Sequence, residues 1–187
     1  MSDATQLRAV RAHFGFSQPR LAPWLGLSRA LLASIETGRE QLPAHARPWL
    51  RPWMEALALP KPAALPETAL APVPAPPPAG PAPVLARLAE CHYQAQRLGQ
   101  QLVMLHAAHR TAARRLAAGP LLLAALPAPA PAEATALALR RRWLARLLEE
   151  AADALAPEAA GGPVAAQLLE ARRRGYLHEA GWLRAGL

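Results

Sequence analysis

The chain has 187 residues, with 21 positive and 13 acidic side chains and a formal charge of +8. That size allows one or two small domains, and that charge attracts polyanions without specifying one. The lone Cys91 excludes an intrachain disulfide framework, and the longest uncharged stretches, 68–86 and 116–132, are too broken by proline to read as membrane spans.

All the positive side chains except Lys61 are arginine, and alanine and proline abound, the compositional habit of GC-rich coding. The first residues, MSDATQLRAVR, lack the apolar run of a signal peptide, so a cytoplasmic protein is expected. Residues 1–58 read as a first unit. Leu7, Val10 and Phe14 recur at helical spacing and predict an amphipathic first helix that ends at Gly15. Ser17 is placed to cap a second helix whose inner face carries Leu21, Ala22 and Leu25. Gly26 supplies a turn, Ser28 caps a third helix with Leu31, Leu32 and Ile35 as its apolar stripe, and Gly38 stops it. Residues 44–58 predict one or two further helical turns, with Trp49 and Trp53 on one face as lids of the core.

Residues 59–83 form a Pro/Ala-rich tract, expected to be a semi-rigid linker because proline removes donors and holds the chain extended. In 84–118, Leu88, Cys91, Ala95, Leu98, Leu102, Leu105, His109, Ala112 and Leu116 recur in alternating steps of three and four. That pattern predicts one helix roughly 50 Å long, expected to end at Gly119-Pro120. Its apolar seam requires a partner, from the same chain or from a second copy. A second seam follows in 133–156, with Leu137, Leu144, Leu147, Ala151 and Leu155, and a last weak helix covers 164–185 after Gly161-Gly162-Pro163. No alternating strand pattern occurs, so the expected fold class is all-α, the C-terminal region 84–187 packing as an antiparallel hairpin or coiled coil with the last helix laid against it. The arginine runs 140–142 and 172–174 read as solvated helix faces.

The stretch Gln18–Thr37 has the spacing of a helix-turn-helix. Counting Gln18 as the first position, the fourth, eighth, tenth, fifteenth and eighteenth must be apolar, and they are Leu21, Leu25, Leu27, Leu32 and Ile35. The fifth, where the helices cross, is the small Ala22, and the ninth, at the turn, is Gly26.

With those residues in place, 5–58 resembles the phage-repressor, or Cro/Xre, type of helix-turn-helix regulator. Leu7, Arg11, Gly15, Ser17, Gln18, Leu21, Ala22, Leu25, Gly26, Ser28, Ile35, Glu36, Gly38 and Pro43 carry the resemblance. It implies a small lambda-repressor-like helical domain that binds operators, commonly as a dimer. It also implies that Gln18 holds a phosphate and that Ser28, Arg29, Ala30 and Ser34 of a recognition helix over about 28–37 face base edges. Arg29 is then the candidate for a bidentate guanine contact and Ala30 for an apolar one. Arg39 is the expected backbone contact in the following loop, and Arg11 with Glu36 a structural ion pair. Three residues or stretches depart from the pattern: Pro23 inside the second helix, Leu31 where a polar residue is common, and a loop after the third helix poor in basic residues. They predict modest affinity per monomer.

No nucleophile-elbow, phosphate-loop or dinucleotide motif is present, and neither CxxC nor HxxxH occurs, so no catalytic residue, metal or cofactor is expected. Two functions follow. One is a sequence-specific transcriptional regulator of double-stranded DNA, homodimeric through 84–156. The other is an interaction or scaffold protein that keeps the N-terminal fold after losing most DNA contact. An outward Arg29 favours the first, and an exposed apolar patch of Leu31 with Trp24 favours the second.

Overall fold

The structure, a computed structural model, describes residues 2–60, 79–128 and 135–187. Residues 61–78 of the Pro/Ala tract and 129–134 of the later proline-rich break lie outside the described residues. The fold is all-α with a long helical C-terminal region. Its elements are α1 (Asp3–Phe14), α2 (Gln18–Leu25), α3 (Arg29–Glu36), α4 (Arg47–Ala56), α5 (Ala82–Ala124), α6 (Thr135–Leu155) and α7 (Pro163–Ala185). Among the described residues no helix is long and apolar enough to cross a membrane. The chain forms two compact units, Met1–Ala63 with Arg110–Asp153, and Ala64–His109 with Ala154–Leu187.

In the first unit, local chemistry sets α1 to α3. Ser2 Oγ accepts the Thr5 N–H at 3.3 Å and Asp3 sits in the first turn, so both a side-chain cap and a favourable charge start α1. Leu7, Val10 and Phe14 are buried along one face. Ser17 stands at the start of α2 without capping it through its side chain. The reason is Pro19, which offers no N–H, while the Arg20 N–H goes to the Ser17 carbonyl at 3.1 Å. Pro23 is accommodated inside α2 as an exposed residue, and the carbonyl that loses its helical partner belongs to Pro19, also exposed. Helix α3 packs on α1 and α2, and α4 packs on the same two. Trp53 of α4 is fully buried, and Trp49 is half-buried with its carbonyl accepting the Trp24 indole N–H at 2.7 Å.

This unit draws on more of the chain than residues 1–58. Ala118, Leu122 and Leu126, and Leu144 and Leu147 of α6, share one apolar core with Leu7, Phe14, Phe16, Trp24, Ile35 and Trp53. That core explains a correction. Helix α5 does not end at Gly119-Pro120 but continues to Ala124. Pro120 is exposed, while Ala118 and Leu122 beside it are completely buried. Burying a leucine side chain contributes about 1.5–3 kcal/mol, enough to offset most of the roughly 3 kcal/mol that an interior proline costs. Helix α6 runs antiparallel to this end of α5, with Leu148 against Gly119 and Arg141 donating to the Pro127 carbonyl.

In the second unit, residues 82–109 of α5 pair antiparallel with α7. His109 Nε2 donates to the Gly161 carbonyl at 2.6 Å, and Arg87 forms a two-bond pair with Glu179 at 2.6 and 2.9 Å. Between them, Leu88, Cys91 and Ala180 form a small core flanked by Tyr176 and Leu183. Leu88, Cys91 and His109 of the seam read from the sequence thus find partners within the chain.

Candidate nucleic-acid interface

The α2–turn–α3 geometry follows from Gly26. Its φ of 70° is left-handed, a region that costs other residues about 1–2 kcal/mol. Leu27 N–H returns to the Ala22 carbonyl at 2.9 Å and Gly26 N–H to the Pro23 carbonyl at 3.2 Å, a Schellman end that satisfies the last carbonyls of α2. Two residues on, Ser28 is extended, and its Oγ accepts the Leu31 N–H at 3.1 Å, starting α3. Gly38, with φ of 76°, ends α3 in the same manner, the Arg39 N–H reaching the Ser34 carbonyl at 2.9 Å.

These ends rotate α3 so that Leu32, Ile35 and Glu36 face inward. Arg29, Ala30 and Thr37 are exposed, and Ala33 and Ser34 are half-exposed on the same side. The outer face is therefore small and polar except for the Arg29 side chain. Thr37 was not singled out from the sequence. It lies one turn beyond Ser34, and helical spacing from Ala30 and Ser34 was the signal that could have found it. Its hydroxyl donates to the Ala33 or Ser34 carbonyl, at 3.1 or 3.0 Å. Leu31 packs on the core and Trp24 is fully buried, so the two do not form an exposed apolar patch.

One polar network ties the three helices together. Arg11 Nη1 reaches the Glu36 carboxylate at 2.6 and 2.9 Å, and Gln18 Nε2 donates to the same carboxylate at 2.8 Å. Glu36 is buried, so the pair holds a charge that would be costly alone. Gln18 is thus anchored by one amide proton and keeps the second, with its carbonyl, for another partner. Ser28, Arg29, Ala30 and Ser34 share one helix and its N-cap, while Arg39 follows in the loop. Gln18 reaches the group only through Glu36.

Charge on this surface is sparse. Arg11, Arg47 and Arg51 face Glu36, Asp3 and Glu55, and Arg20 pairs with Glu150 of α6. Arg8, Arg29 and Arg39 are exposed and have no carboxylate partner among the described residues. The α5 and α6 contacts to this part of the chain fall elsewhere. Arg114 and Arg115 donate to the carbonyls of His13, Phe14 and Gly15, and Trp143 Nε1 donates to the Arg20 carbonyl at 3.0 Å.

One feature of α6 departs from the sequence reading. Arg140 is not part of a solvated face but is buried, while Arg142 is exposed. Position 140 lies one step after Leu137 and one before Leu144 on the seam of α6, so its burial follows from helical period. Arg140 Nε donates to the Trp24 carbonyl at 2.7 Å and its Cζ lies 4.0 Å from the Trp49 ring centroid. Among the described residues, no three His, Cys, Asp or Glu side chains gather as metal ligands do. Comparison with protein-family models, curated proteins and solved structures gives no match.

Proposed function

We propose that the N-terminal helices bind double-stranded DNA, with α3 laid in the major groove, and that the protein is a cytoplasmic transcriptional regulator. The observation that carries this is the outer face of α3, where Arg29 stands exposed, with no carboxylate partner among the described residues, beside the small side chains of Ala30, Ala33 and Ser34. Small side chains allow close approach to base edges, and a guanidinium reads guanine with two hydrogen bonds. The Ser28-capped helix start and the free proton of Gln18 serve as phosphate contacts, with Arg39 behind them. The absence of a Leu31–Trp24 patch speaks for this reading over a scaffold role.

Paired half-sites call for a homodimer. Leu88, Cys91, Ala95 and Leu102 are already buried within one chain, so a dimer through 84–156 would use exposed positions such as Tyr93 and Met104. The two lie eleven residues apart and therefore on one side of α5.

The test is selection from random-core duplexes followed by gel shift with wild type, Arg29→Ala and Gln18→Ala, with unfolding measured alongside. Arg29→Ala is expected to cost about 1–3 kcal/mol against the selected site and to relax one base position. Binding that shows no salt slope, or selection that returns no enriched sequence, would overturn the reading.

A further inference from the structure

Arg140 poses a problem that the DNA reading leaves open. It is only 9 % exposed, and no carboxylate among the described residues faces it. Its chain contacts are one hydrogen bond from Nε to the Trp24 carbonyl and the face of Trp49. Burial alone pushes this guanidinium below its usual range. A buried charge is costly unless a countercharge or a full set of acceptors meets it. Here neither terminal nitrogen has an acceptor among the described residues.

They open on a notch of about 580 Å3 between α6 and the α2–α3 turn. Leu139, Arg142, Trp143 and Arg146 line it together with Arg140 and Gly26, and none of its described lining residues is acidic. Arg146 is occupied by Glu150, whereas Arg142 is exposed and unpaired among the described residues. The volume falls in the range of about 300–1,000 Å3 common for small-molecule sites.

We propose that this notch binds a small organic anion, a carboxylate or phosphate ester on an aromatic or apolar body, gripped by Arg140 and Arg142 and lying against Trp143 and Leu139. Two guanidiniums present forked donors that match such oxygens in pairs. The site adjoins the α2–α3 turn directly, since a Cβ on Gly26 would lie 3.0 Å from Arg140 Nη2. An anion there therefore bears on the segment that orients α3, but the site stands whether or not α3 reads DNA.

The experiment titrates the full chain by calorimetry with phenyl phosphate and benzoate as probes and benzamide as the uncharged counterpart. Both anions are expected to bind, and benzamide at least tenfold more weakly. Arg142→Gln, an exposed change that leaves the fold intact, is expected to weaken the anions roughly tenfold, the size of one lost charged hydrogen bond. Arg140→Gln is expected to abolish binding, with circular dichroism checking its fold. Ala136→Trp fills the notch from its rim and should exclude the probes without removing charge. Equal binding of benzamide and benzoate, or anion binding unchanged in Arg142→Gln and Ala136→Trp, would overturn the proposal. A duplex arm separates the two sources of a phosphate. If DNA and phenyl phosphate bind together, the site takes a free anion. If a duplex displaces the probe and Arg142→Gln weakens that duplex, the notch holds a DNA phosphate and the small-ligand proposal fails.

Discussion

The two compact units are both helical, yet they are held by different kinds of contact. In the first, Phe14, Phe16, Trp24, Trp53 and Trp143 form an aromatic cluster with ring centroids as close as 4.8 Å. Those rings come from α1, the following loop, α2, α4 and α6, so the cluster joins residues more than a hundred positions apart. In the second, the described core is Leu88, Cys91 and Ala180, and Trp182 at 78 % and Met104 at 73 % exposure stay outside it. The ion pair Arg87–Glu179 is solvent-accessible, and water and salt screen such pairs. Large rings bury much apolar area each, whereas small side chains let helices approach but bury little. Global stability is therefore expected to reside in the first unit, and hydrogen exchange to be faster in the second.

Three measurements break or sharpen this contrast. The largest effect is expected from Trp24→Ala, which removes a fully buried ring and its hydrogen bond to Trp49. Chemical denaturation should show a loss of about 3–5 kcal/mol. Leu88→Ala in the second unit should cost about 2 kcal/mol, at the low end for leucine, because few large neighbours surround the void. Equal losses would show that the two cores are equivalent after all.

Next in size is a pair of glycines. Gly26→Ala and Gly38→Ala both force alanine into a left-handed backbone, at about 1–2 kcal/mol each. At Gly38 nothing lies within 4 Å of the added carbon, whereas at Gly26 it meets Arg140 Nη2. Gly26→Ala should therefore cost measurably more in thermal or urea unfolding, and an equal cost would mean that Arg140 does not press on the turn.

The smallest effect concerns acid. The hydrogen bond from Arg20 is the main cause that holds the Glu150 carboxyl below its ordinary range. A lowered folded-state value stabilises above the unfolded pKa and is lost as pH falls through the folded one. Both side chains are more than a third exposed, so the contribution is about 0.5 kcal/mol after screening. Urea midpoints of wild type and Glu150→Gln should differ at about pH 7, and the difference should shrink as pH falls below the ordinary carboxylate range.

Much of this was legible beforehand. The faces of α1, α2 and α3 follow from helical period, and their ends follow from Ser2, Ser28, Gly26 and Gly38, all local features within one turn of the residue concerned. The seam of α5 was equally legible, but its partner was not, because period says that a face must be covered and not by what. Helix α7 covers its Leu88–Cys91 stretch, while the core around Trp24 and Trp53 takes Ala118 and Leu122, residues of α5 that lie off that seam. Pro120 was misread for the same reason. Its local cost is fixed by the missing N–H, while the compensating burial of Leu122 exists only after distant helices have packed.

The sequence by itself determined an all-α chain and the two short helices within Gln18–Thr37 with their turn at Gly26, since both rest on backbone propensity, caps and spacing that act between near neighbours. The tertiary structure alone decided that α6 completes the core of those helices, that Gln18 is tied to Glu36, and that Arg140 faces Trp49 and a notch whose described lining residues include no acid. Those outcomes depend on which surfaces meet across long sequence separations, where burial and charge compensation, not local propensity, set the free energy.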